Sequence, residues 1–230
     1  MKQFLSFIFL MFTLFNASAQ ATIGPVPIYL NNDPIEDVNR AVYEFNDALD
    51  KSVLKPVAES YETNMPDDGK KIVKNFFANI ADFETFINQL LQLKIKDSVS
   101  TFSKIILNST VGIFGLADVA GHSNHNEDFG QTLATWGVPD GPYVVLPLLG
   151  PSNARDSLGI IVDSLSPSNI LGTFDSGAEI SLKAVDAVDT RADLIPLADM
   201  LDRSFDPYIT MKSSYQQKRN NDINDGNKPD

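Results

Sequence analysis

The stretch that decides the fold class is residues 66–91, which read PDDGKKIVKNFFANIADFETFINQLL. The segment Asn64-Met65-Pro66-Asp67-Asp68 is typical of a helix start. Apolar residues then recur every three or four positions from Ile72 to Leu91, which is the period of one helix face. The spacing predicts one helix of roughly 25 residues, about 37 Å long at about 1.5 Å per residue.

Two features leave the surroundings of the predicted helices open. The apolar face of this stretch widens at four phenylalanines, which suit either an ordinary core or a surface in contact with lipid. A run rich in glycine and alanine between residues 112 and 121 permits close approach of backbones, either in a tight core or within a membrane. The four phenylalanines are Phe76, Phe77, Phe83 and Phe86.

Another helix is predicted before this stretch. Asp33 is a candidate N-cap, Pro34 suits the first helical position, and Glu36 completes a capping box. Apolar residues follow at helical spacing as far as Leu49. The helix is expected to end before Pro56, because proline disfavours a helical residue in front of it.

Four more helices are predicted after the long one. The first of them has Asp97-Ser98 as its candidate N-cap. The second has Ser152 as its candidate N-cap and is expected to end at Pro167. The last two are expected around residues 179–194 and 197–219. The chain shows no internal repeat and no convincing strand ladder, so the predicted fold class is all-α.

The two ends of the chain differ from its helical middle. Residues 1–19 combine a basic start, a short apolar run and small residues, which predicts a secretory signal peptide, with residue 21 as the alternative end. Residues 20–32 are interrupted by proline and glycine and are expected to form an extended leader. The polar segment 220–230 is expected to be a disordered tail, which leaves residues 33–219 as a single helical domain.

Residues 137–151 read GVPDGPYVVLPLLGP and place four prolines and three glycines around an apolar centre. The segment is too interrupted for a regular helix and too apolar for a solvated loop. It is either a buried connector or a short re-entrant or interfacial piece. The second interpretation makes six residues candidates for membrane contact: Tyr143, Val144, Val145, Leu146, Leu148 and Leu149.

The composition argues against several kinds of function. A formal net charge of -12 is a poor match for nucleic acid and for an anionic lipid surface, so any membrane contact would rest on apolar burial. The chain has no cysteine, which excludes disulfides, thiolate metal sites and acylation of a cysteine. His122, His125, Glu127 and Asp128 cluster in a loop without the helical i, i+4 spacing typical of metal ligands. We therefore predict no catalytic residue, no metal site and no cofactor.

Several segments in a fixed order resemble the MlaA (VacJ) family of outer-membrane lipid-asymmetry proteins. Residues 33–46, DPIEDVNRAVYEFN, match the pattern D-P-x-E-x-x-N-R-x-x-Y-x-F-N. Residues 108–120, NSTVGIFGLADVA, match N-x-T-x-G-x-x-G-x-x-D-x-A, and the joint order of the segments is specific. The resemblance covers residues 33–219. The other segments that carry it are 75–79, 128–133, 136–138, 141–147, 189–192 and 206–208.

The resemblance implies an all-α, ring-like protein in the inner leaflet of the outer membrane, associated with a trimeric porin. It also implies a central amphipathic channel that passes mislocalised phospholipids from the outer leaflet to a soluble periplasmic lipid carrier. By the same resemblance, the path would be gated at the end of the first motif, by Tyr43, Phe45 and Asn46; the alternative is that Phe45 belongs to the core and Asn46 to the surface. Many members of the family are lipoproteins, whereas this chain has no cysteine to acylate.

Two other functions stay open on the sequence. In one, the chain is a periplasmic helical structural or interaction protein, whose apolar segments are core and partner surface only. In the other, it is a lipid hydrolase or a metal enzyme that uses His122 and His125. The expected location is the periplasmic side of the outer membrane, with the periplasm as the alternative.

Overall fold

The computed structural model describes residues 33–123, 125–166 and 169–226. The predicted signal peptide at 1–19 and the leader at 20–32 lie outside the described residues. In chain order, the elements are α1 (Glu36–Leu49), a π-helical turn (Asp50–Leu54), α2 (Lys55–Asn64), α3 (Asp67–Leu91), α4 (Ile95–Thr110), α5 (Phe129–Thr135), β1 (Tyr143–Leu146), β2 (Gly150–Asn153), α6 (Ala154–Leu165), a 3-10 turn (Leu171–Thr173), α7 (Ser176–Asp193), α8 (Ile195–Asp202) and α9 (Pro207–Ile223).

The fold is predominantly helical, and the predicted fold class is confirmed. The long helix predicted from the opening stretch is α3, an unbroken helix of 25 residues. Among the described residues, the exception to the helical fold is the interrupted apolar segment, in which β1 and β2 pair antiparallel with Tyr143 opposite Asn153 and Leu146 opposite Gly150. Leu148 and Gly150 have φ values of 67° and 83°, which lets the chain reverse between the strands.

The first helix begins and ends differently from the prediction. Its N-cap is Ile35, which makes no side-chain capping bond. Asp33 does not cap it, because its carboxylate accepts hydrogen bonds from Asn39 Nδ2 at 2.7 Å and from the Tyr208 hydroxyl. The helical path continues past Pro56, which lies in the first turn of α2 behind the π-helical turn. Proline is tolerated there because the first N–H groups of a helix have no partner within it.

Two later helix caps are also corrected by the structure. α4 begins at Ile95, so Asp97-Ser98 lies in its first turn and does not cap it. α6 is capped by Asn153, whose side chain accepts a hydrogen bond from the Asp156 N–H, and not by its neighbour Ser152.

The C-terminal helix predicted over residues 197–219 is divided in two. Asp206 caps α9 by accepting a hydrogen bond from the Ile209 N–H at 3.2 Å, and Pro207 follows at a position typical of a new helix. α9 then continues to Ile223, so the first residues of the predicted disordered tail are helical. The end of that tail, residues 227–230, lies outside the described residues.

Five helices form a closed circuit of contacts. α3 packs against α5 and α7, α5 packs against α9, and α8 packs against both α9 and α7. α4 packs against α3, and α1 packs against β1 of the hairpin. The ring-like arrangement that the resemblance implies stays a prediction. Among the described residues, no helix is both long and apolar enough to cross a membrane.

The hydrophobic core is small and lies beside the β-hairpin. Tyr143, Val145 and Tyr208 are buried together, and Tyr43 and Tyr215 pack against them. Among the described residues, eight apolar side chains are buried, whereas twenty polar or charged ones are. Water-soluble domains bury mainly apolar residues, so most of this interior is of a different kind.

Candidate functional site

The helix α4 turns its polar face inward and its apolar face outward. Ser98, Thr101 and Asn108 recur at helical spacing and are buried. Phe102 and Ile106 lie on the other side and are 48% and 47% exposed. The apolar stripe that would normally mark the core side of a helix is therefore on its surface.

Polar side chains of α3 explain this arrangement, because they bind irregular backbone at residues 121–123 and 125–128. Asp82 accepts a hydrogen bond from the Ser123 N–H at 3.0 Å, and Thr85 Oγ1 accepts one from the Glu127 N–H at 3.1 Å. A buried backbone N–H without a partner costs free energy, so a segment with no regular structure needs such partners. The buried side chains of α3 are therefore polar, and those of α4 are polar apart from Ile105.

The turn after α4 presents apolar side chains from a strained backbone. Ile113 and Phe114 are 64% and 78% exposed and have φ values of 53° and 58°. The left-handed conformation costs an ordinary residue roughly 1–2 kcal/mol. At Gly115, a side chain would come within 2.6 Å of Asn79 Cβ. The side-chain oxygen Oδ1 of buried Asn108 holds the returning chain, since it accepts hydrogen bonds from two consecutive backbone N–H groups at 2.9 and 3.0 Å.

A cavity of about 370 Å³ lies among α3, α6, α7, α9, β2 and the N-cap of α5. Four of the five helices in the closed circuit contribute to its wall, if the N-cap of α5 is counted with that helix. We call it the polar cavity, because charged side chains of both signs line it: Glu84, Asp128, Asp156, Asp163, Lys183 and Arg219.

One side of the polar cavity is held by Arg219. Its Nη2 donates to Asp128 Oδ1 at 2.7 Å and to Asp156 Oδ1 at 2.9 Å. Burial alone would raise the pKa of Asp156, but the hydrogen bond and charge of Arg219 outweigh it and hold the pKa below its usual value. The guanidinium fits because Gly130 has no side chain; a Cβ there would be 2.4 Å from Arg219 Nη2. Arg155 Nε also lies 2.9 Å from Asp156 Oδ1, so two cations face the two carboxylates on this side of the cavity.

The other side of the polar cavity carries two carboxyl groups in contact. Burial and the nearby Asp163 charge raise the pKa of Glu84 to about 8. Burial also raises the pKa of Asp163, although its Oδ2 accepts a hydrogen bond from the Phe129 N–H at 2.9 Å. Among the described residues, neither carboxylate has an ion pair with lysine, arginine or histidine. The pair therefore shares a proton at neutral pH.

The β-hairpin is fixed to α1 by two asparagines, two helical turns apart. Asn39 donates to the Tyr143 carbonyl at 3.0 Å and accepts from the Val145 N–H at 2.8 Å. Asn46 donates to the Leu146 carbonyl at 2.9 Å and accepts from the Leu148 N–H at 2.8 Å. The two side chains pair with the free edge of β1 in the way that a third strand would.

The three gate candidates occupy different surroundings. Asn46 holds the hairpin turn, and Tyr43 packs edge-on against Tyr208 with ring centroids 5.9 Å apart. Phe45 is 55% exposed and lines an apolar groove of about 530 Å³ together with Pro147. The structure therefore joins Asn46 and the hairpin directly, and it places Phe45 on a surface. Gating by these residues stays a prediction.

The six candidates for membrane contact divide along the hairpin. Tyr143 and Val145 are buried in the protein, so the prediction is corrected for these two side chains. They point inward because alternate residues of a strand face opposite sides. Val144 and Leu146 are half-buried. Leu148 and Leu149, at the tip, are 70% and 66% exposed and stay candidates.

The loop that contains His122 and Glu127 makes hydrogen bonds to other parts of the protein. His122 Nδ1 lies 3.0 Å from Asp82 Oδ2 on α3. Glu127 is buried and accepts hydrogen bonds from Lys94 at 2.7 Å and Gln92 at 2.8 Å. Within the described part of the chain, no group of histidine, aspartate or glutamate side chains has the geometry to hold a metal ion.

The family is decided by comparison with known proteins. The sequence model of the MlaA lipoprotein family matches residues 31–222, which is most of the chain. The chain belongs to the MlaA family. The resemblance stated from the sequence motifs is thereby confirmed.

Individual relatives of the MlaA family agree with this assignment. The chain is 36% identical over 191 residues to an uncharacterised protein of Rickettsia bellii, covering 81% of this chain and 75% of that one. It is 31% identical over 202 residues to the Escherichia coli K12 protein named intermembrane phospholipid transport system lipoprotein MlaA, covering 85% and 80%. A solved structure from work on the maintenance of bacterial outer membrane lipid asymmetry superposes with a TM-score of 0.74 at 31% identity, covering 83% of this chain and 98% of that one.

The sequence motifs of the MlaA family include Asp128 of the polar cavity, in segment 128–133, but not its carboxyl pair or Lys183. Glu84, Asp163 and Lys183 lie outside the motif segments, and no sequence motif predicts a site at these three residues. One signal was present: Glu84 follows Phe83 within the apolar face of α3, where a charged residue is uncommon. Its partner Asp163 is 79 positions away, so only the fold brings the two together.

Proposed function

We propose that this chain transports phospholipids and thereby maintains the lipid asymmetry of the outer membrane. It would take mislocalised phospholipid from the outer leaflet and deliver it to a periplasmic carrier. The observation that carries the proposal is the inverted distribution of polarity: a charged cavity lies among helices, while apolar side chains lie on the exposed face of α4 and its following turn. Membership of the MlaA family, and the name of its E. coli relative, support the same function.

The exposed apolar side chains favour a lipid environment over water. Removing apolar surface from water is worth roughly 25 cal/mol per Å². In water, the apolar face of α4 and the turn at Ile113 and Phe114 stay exposed and do not contribute this stabilisation. In a membrane leaflet they would gain it, while the polar cavity would offer a path for a headgroup. Because the net charge is -12, attachment would depend on these apolar faces and on Leu148 and Leu149.

The remaining parts of the proposal concern partners and attachment. We place the chain at the periplasmic side of the outer membrane, beside a trimeric porin and in exchange with a soluble lipid carrier. It would be held there without an acylated cysteine, since the sequence contains none. Tyr43, Phe45 and Asn46 would control the path, because Asn46 ties α1 to the hairpin turn. We propose no catalytic activity.

The test is restoration of lipid asymmetry in cells that lack their own member of the family. The wild-type chain is expected to lower the phospholipid content of the outer leaflet, whereas Ile106→Asp is expected to fail and to leave the membrane fraction. A buried charge in lipid costs roughly 2.5–3.5 kcal/mol near the bilayer centre and less near the interface. Ser214→Asp adds the same charge at an exposed position of α9 and is the matched control.

The alternative function makes the opposite prediction. A periplasmic interaction protein without a lipid path would be monodisperse without detergent and would carry no phospholipid after gentle purification. Mass spectrometry of the purified wild-type protein checks this. Full retention of lipid asymmetry by a folded Ile106→Asp variant would contradict a membrane role for the α4 face.

A further inference from the structure

The Glu84–Asp163 pair is the uncompensated charge of the polar cavity. Two buried carboxylates elsewhere in the protein meet cations: Asp156 meets Arg219, and Glu127 meets Lys94. Glu84 and Asp163 instead meet each other, with no ion-pair partner among the described residues. A proton shared between two carboxyl groups takes the place that a cation would otherwise fill.

Several features of the wall favour an organic cation over a metal ion. The described residues hold no group with metal-ligand geometry. The cavity measures about 370 Å³, within the size range of sites for organic ligands. Ile160 and Pro151 also line it, so an apolar part of a ligand would find contacts there.

The same wall offers one cation that can bind an anion. Lys183 lines the cavity, and the ion pair it makes is with Glu179, one turn earlier on α7, at 2.6 Å. The Lys183 and Glu179 side chains are 52% and 28% exposed, and an exposed i, i+4 pair is worth only a few tenths of a kcal/mol. Lys183 can therefore exchange this partner for a phosphate at little cost, whereas Arg219 is held by two aspartates.

We propose that the polar cavity binds the headgroup of a zwitterionic aminophospholipid, with its ammonium on Glu84 and Asp163 and its phosphate on Lys183. This inference rests on the proposed transport of phospholipids and names the headgroup class that the path selects. Binding of the ammonium displaces the shared proton, because the cation and the proton compete for the same carboxylates. The titratable or charged groups around that site are Glu84 on α3, Asp128 at the N-cap of α5, Asp156 and Asp163 on α6, Lys183 on α7, and Tyr215 and Arg219 on α9.

The experiment compares two short-chain lipids that share their acyl chains and phosphate. Full-length protein in detergent is titrated calorimetrically with dihexanoyl phosphatidylethanolamine and with dihexanoyl phosphatidylglycerol. We expect the ethanolamine lipid to bind about tenfold more tightly, the size of one charge-assisted hydrogen bond. Near pH 7 its binding is expected to release a proton, seen as a heat that depends on the buffer, whereas the glycerol lipid releases none.

Variants of the cavity residues test each proposed contact with the headgroup separately. Glu84→Gln is expected to abolish most of the preference and the proton release, and Asp163→Asn is the second variant in case the first disturbs the fold. Lys183→Gln is expected to weaken both lipids equally, since both carry a phosphate. Glu59→Gln removes an exposed carboxylate of α2 and is expected to change nothing. Circular dichroism shows that each variant is folded.

Three outcomes would overturn the inference. Equal binding of the two lipids by the wild type would refute selection of an ammonium group, and an unchanged preference in both carboxyl variants would refute its placement. Phosphoethanolamine without acyl chains binding as tightly as the lipid would show a site for a soluble amine. If the two lipids bind equally and the protein still restores lipid asymmetry in cells, the headgroup inference fails and the proposed transport function stands. If neither lipid binds, the proposed transport function itself is contradicted.

Discussion

The β-hairpin region and the α3–α4 pair bury opposite kinds of side chain. Around the hairpin, Tyr143, Val145 and Tyr208 are packed together out of solvent. Between α3 and α4, polar residues such as Asn108 are buried, and apolar residues such as Ile106 are exposed. Helices contribute to both regions, so secondary structure does not account for the difference in the kind of side chain that is buried.

The difference shows what each region is suited to contact. The aromatic cluster gains stability by leaving water, as the core of a soluble protein does. The α3–α4 pair gains little from that effect, because its interior is held by hydrogen bonds and its apolar surface faces outward. We infer that the hairpin region supplies most of the hydrophobic stabilisation and that the helical pair supplies the surface for lipid.

The largest expected effect is in the aromatic cluster. Tyr208 is 1% exposed, packs against Tyr43 and Tyr143, and donates its hydroxyl hydrogen to Asp33. Tyr208→Ala is expected to lower the free energy of unfolding by about 3–5 kcal/mol, through the cavity and the lost hydrogen bond. Chemical denaturation in detergent measures this.

The matched control is the neighbouring aromatic Phe205, which is fully exposed. Phe205→Ala is expected to change the free energy of unfolding by less than about 0.5 kcal/mol. Equal losses for the two variants would contradict a core at the hairpin.

The next effect concerns the polar interior of the α3–α4 pair. Asn108 is fully buried and pairs with the backbone N–H groups of Val119 and Ala120 and with the Gly121 carbonyl. Asn108→Ala leaves these groups without partners and is expected to cost roughly 1–3 kcal/mol. Asn64→Ala, at an exposed helix end, is the control, and a comparable loss there would remove the distinction.

A smaller effect depends on pH and involves Glu84. Its pKa of about 8 in the folded protein lies above the value of about 4.3 for an unfolded chain. Between these values the folded state holds a proton that the unfolded state has lost, so this group makes stability fall as pH rises through that window. Glu84→Gln cannot titrate and is expected to be more stable than wild type at about pH 8, by roughly 1–2 kcal/mol.

Thermal unfolding of both proteins between about pH 5 and 8 checks the Glu84 prediction. The gain is expected to shrink as pH falls toward about 4.3, where the unfolded carboxyl also begins to take up a proton. Glu59→Gln, on an exposed face, should retain the wild-type pH dependence. A constant difference across the range would show that the carboxyl pair does not titrate as described.

The smallest effect is at the strained apolar turn. Ile113 has a φ of 53°, which glycine adopts without strain. Ile113→Gly removes that strain but adds conformational entropy to the unfolded chain. The net effect is expected to be a rise in the free energy of unfolding of about 0.5 kcal/mol. Ile106→Gly, within α4, is expected to lower it by about 1 kcal/mol. Both variants should bind phospholipid vesicles less well in a flotation assay. A stability loss at residue 113 would contradict the strain.

Much of the helical framework could be predicted from local signals in the sequence. The rhythm of apolar residues from Ile72 to Leu91 predicts α3 correctly, since periodicity depends only on neighbours along the chain. Pro66 and the aspartates after it mark its start. The predicted cap at Asp33 is wrong because a tertiary contact takes its carboxylate, which accepts a hydrogen bond from the Tyr208 hydroxyl, 175 positions away. The predicted cap at Ser152 is wrong because the next residue, Asn153, caps α6.

The sequence by itself determines the helical class, the family motifs and the acidic, cysteine-free composition of this protein. Only the tertiary structure decides which face of a helix is buried, because periodicity defines two faces without saying which one meets the rest of the protein. The polar stripe of α4 lies inward because backbone groups of the irregular chain after it, such as those of Gly121 and Ser123, need partners. The contact of Glu84 with Asp163 likewise depends on the packing of α3, α5 and α6, and no local pattern records it.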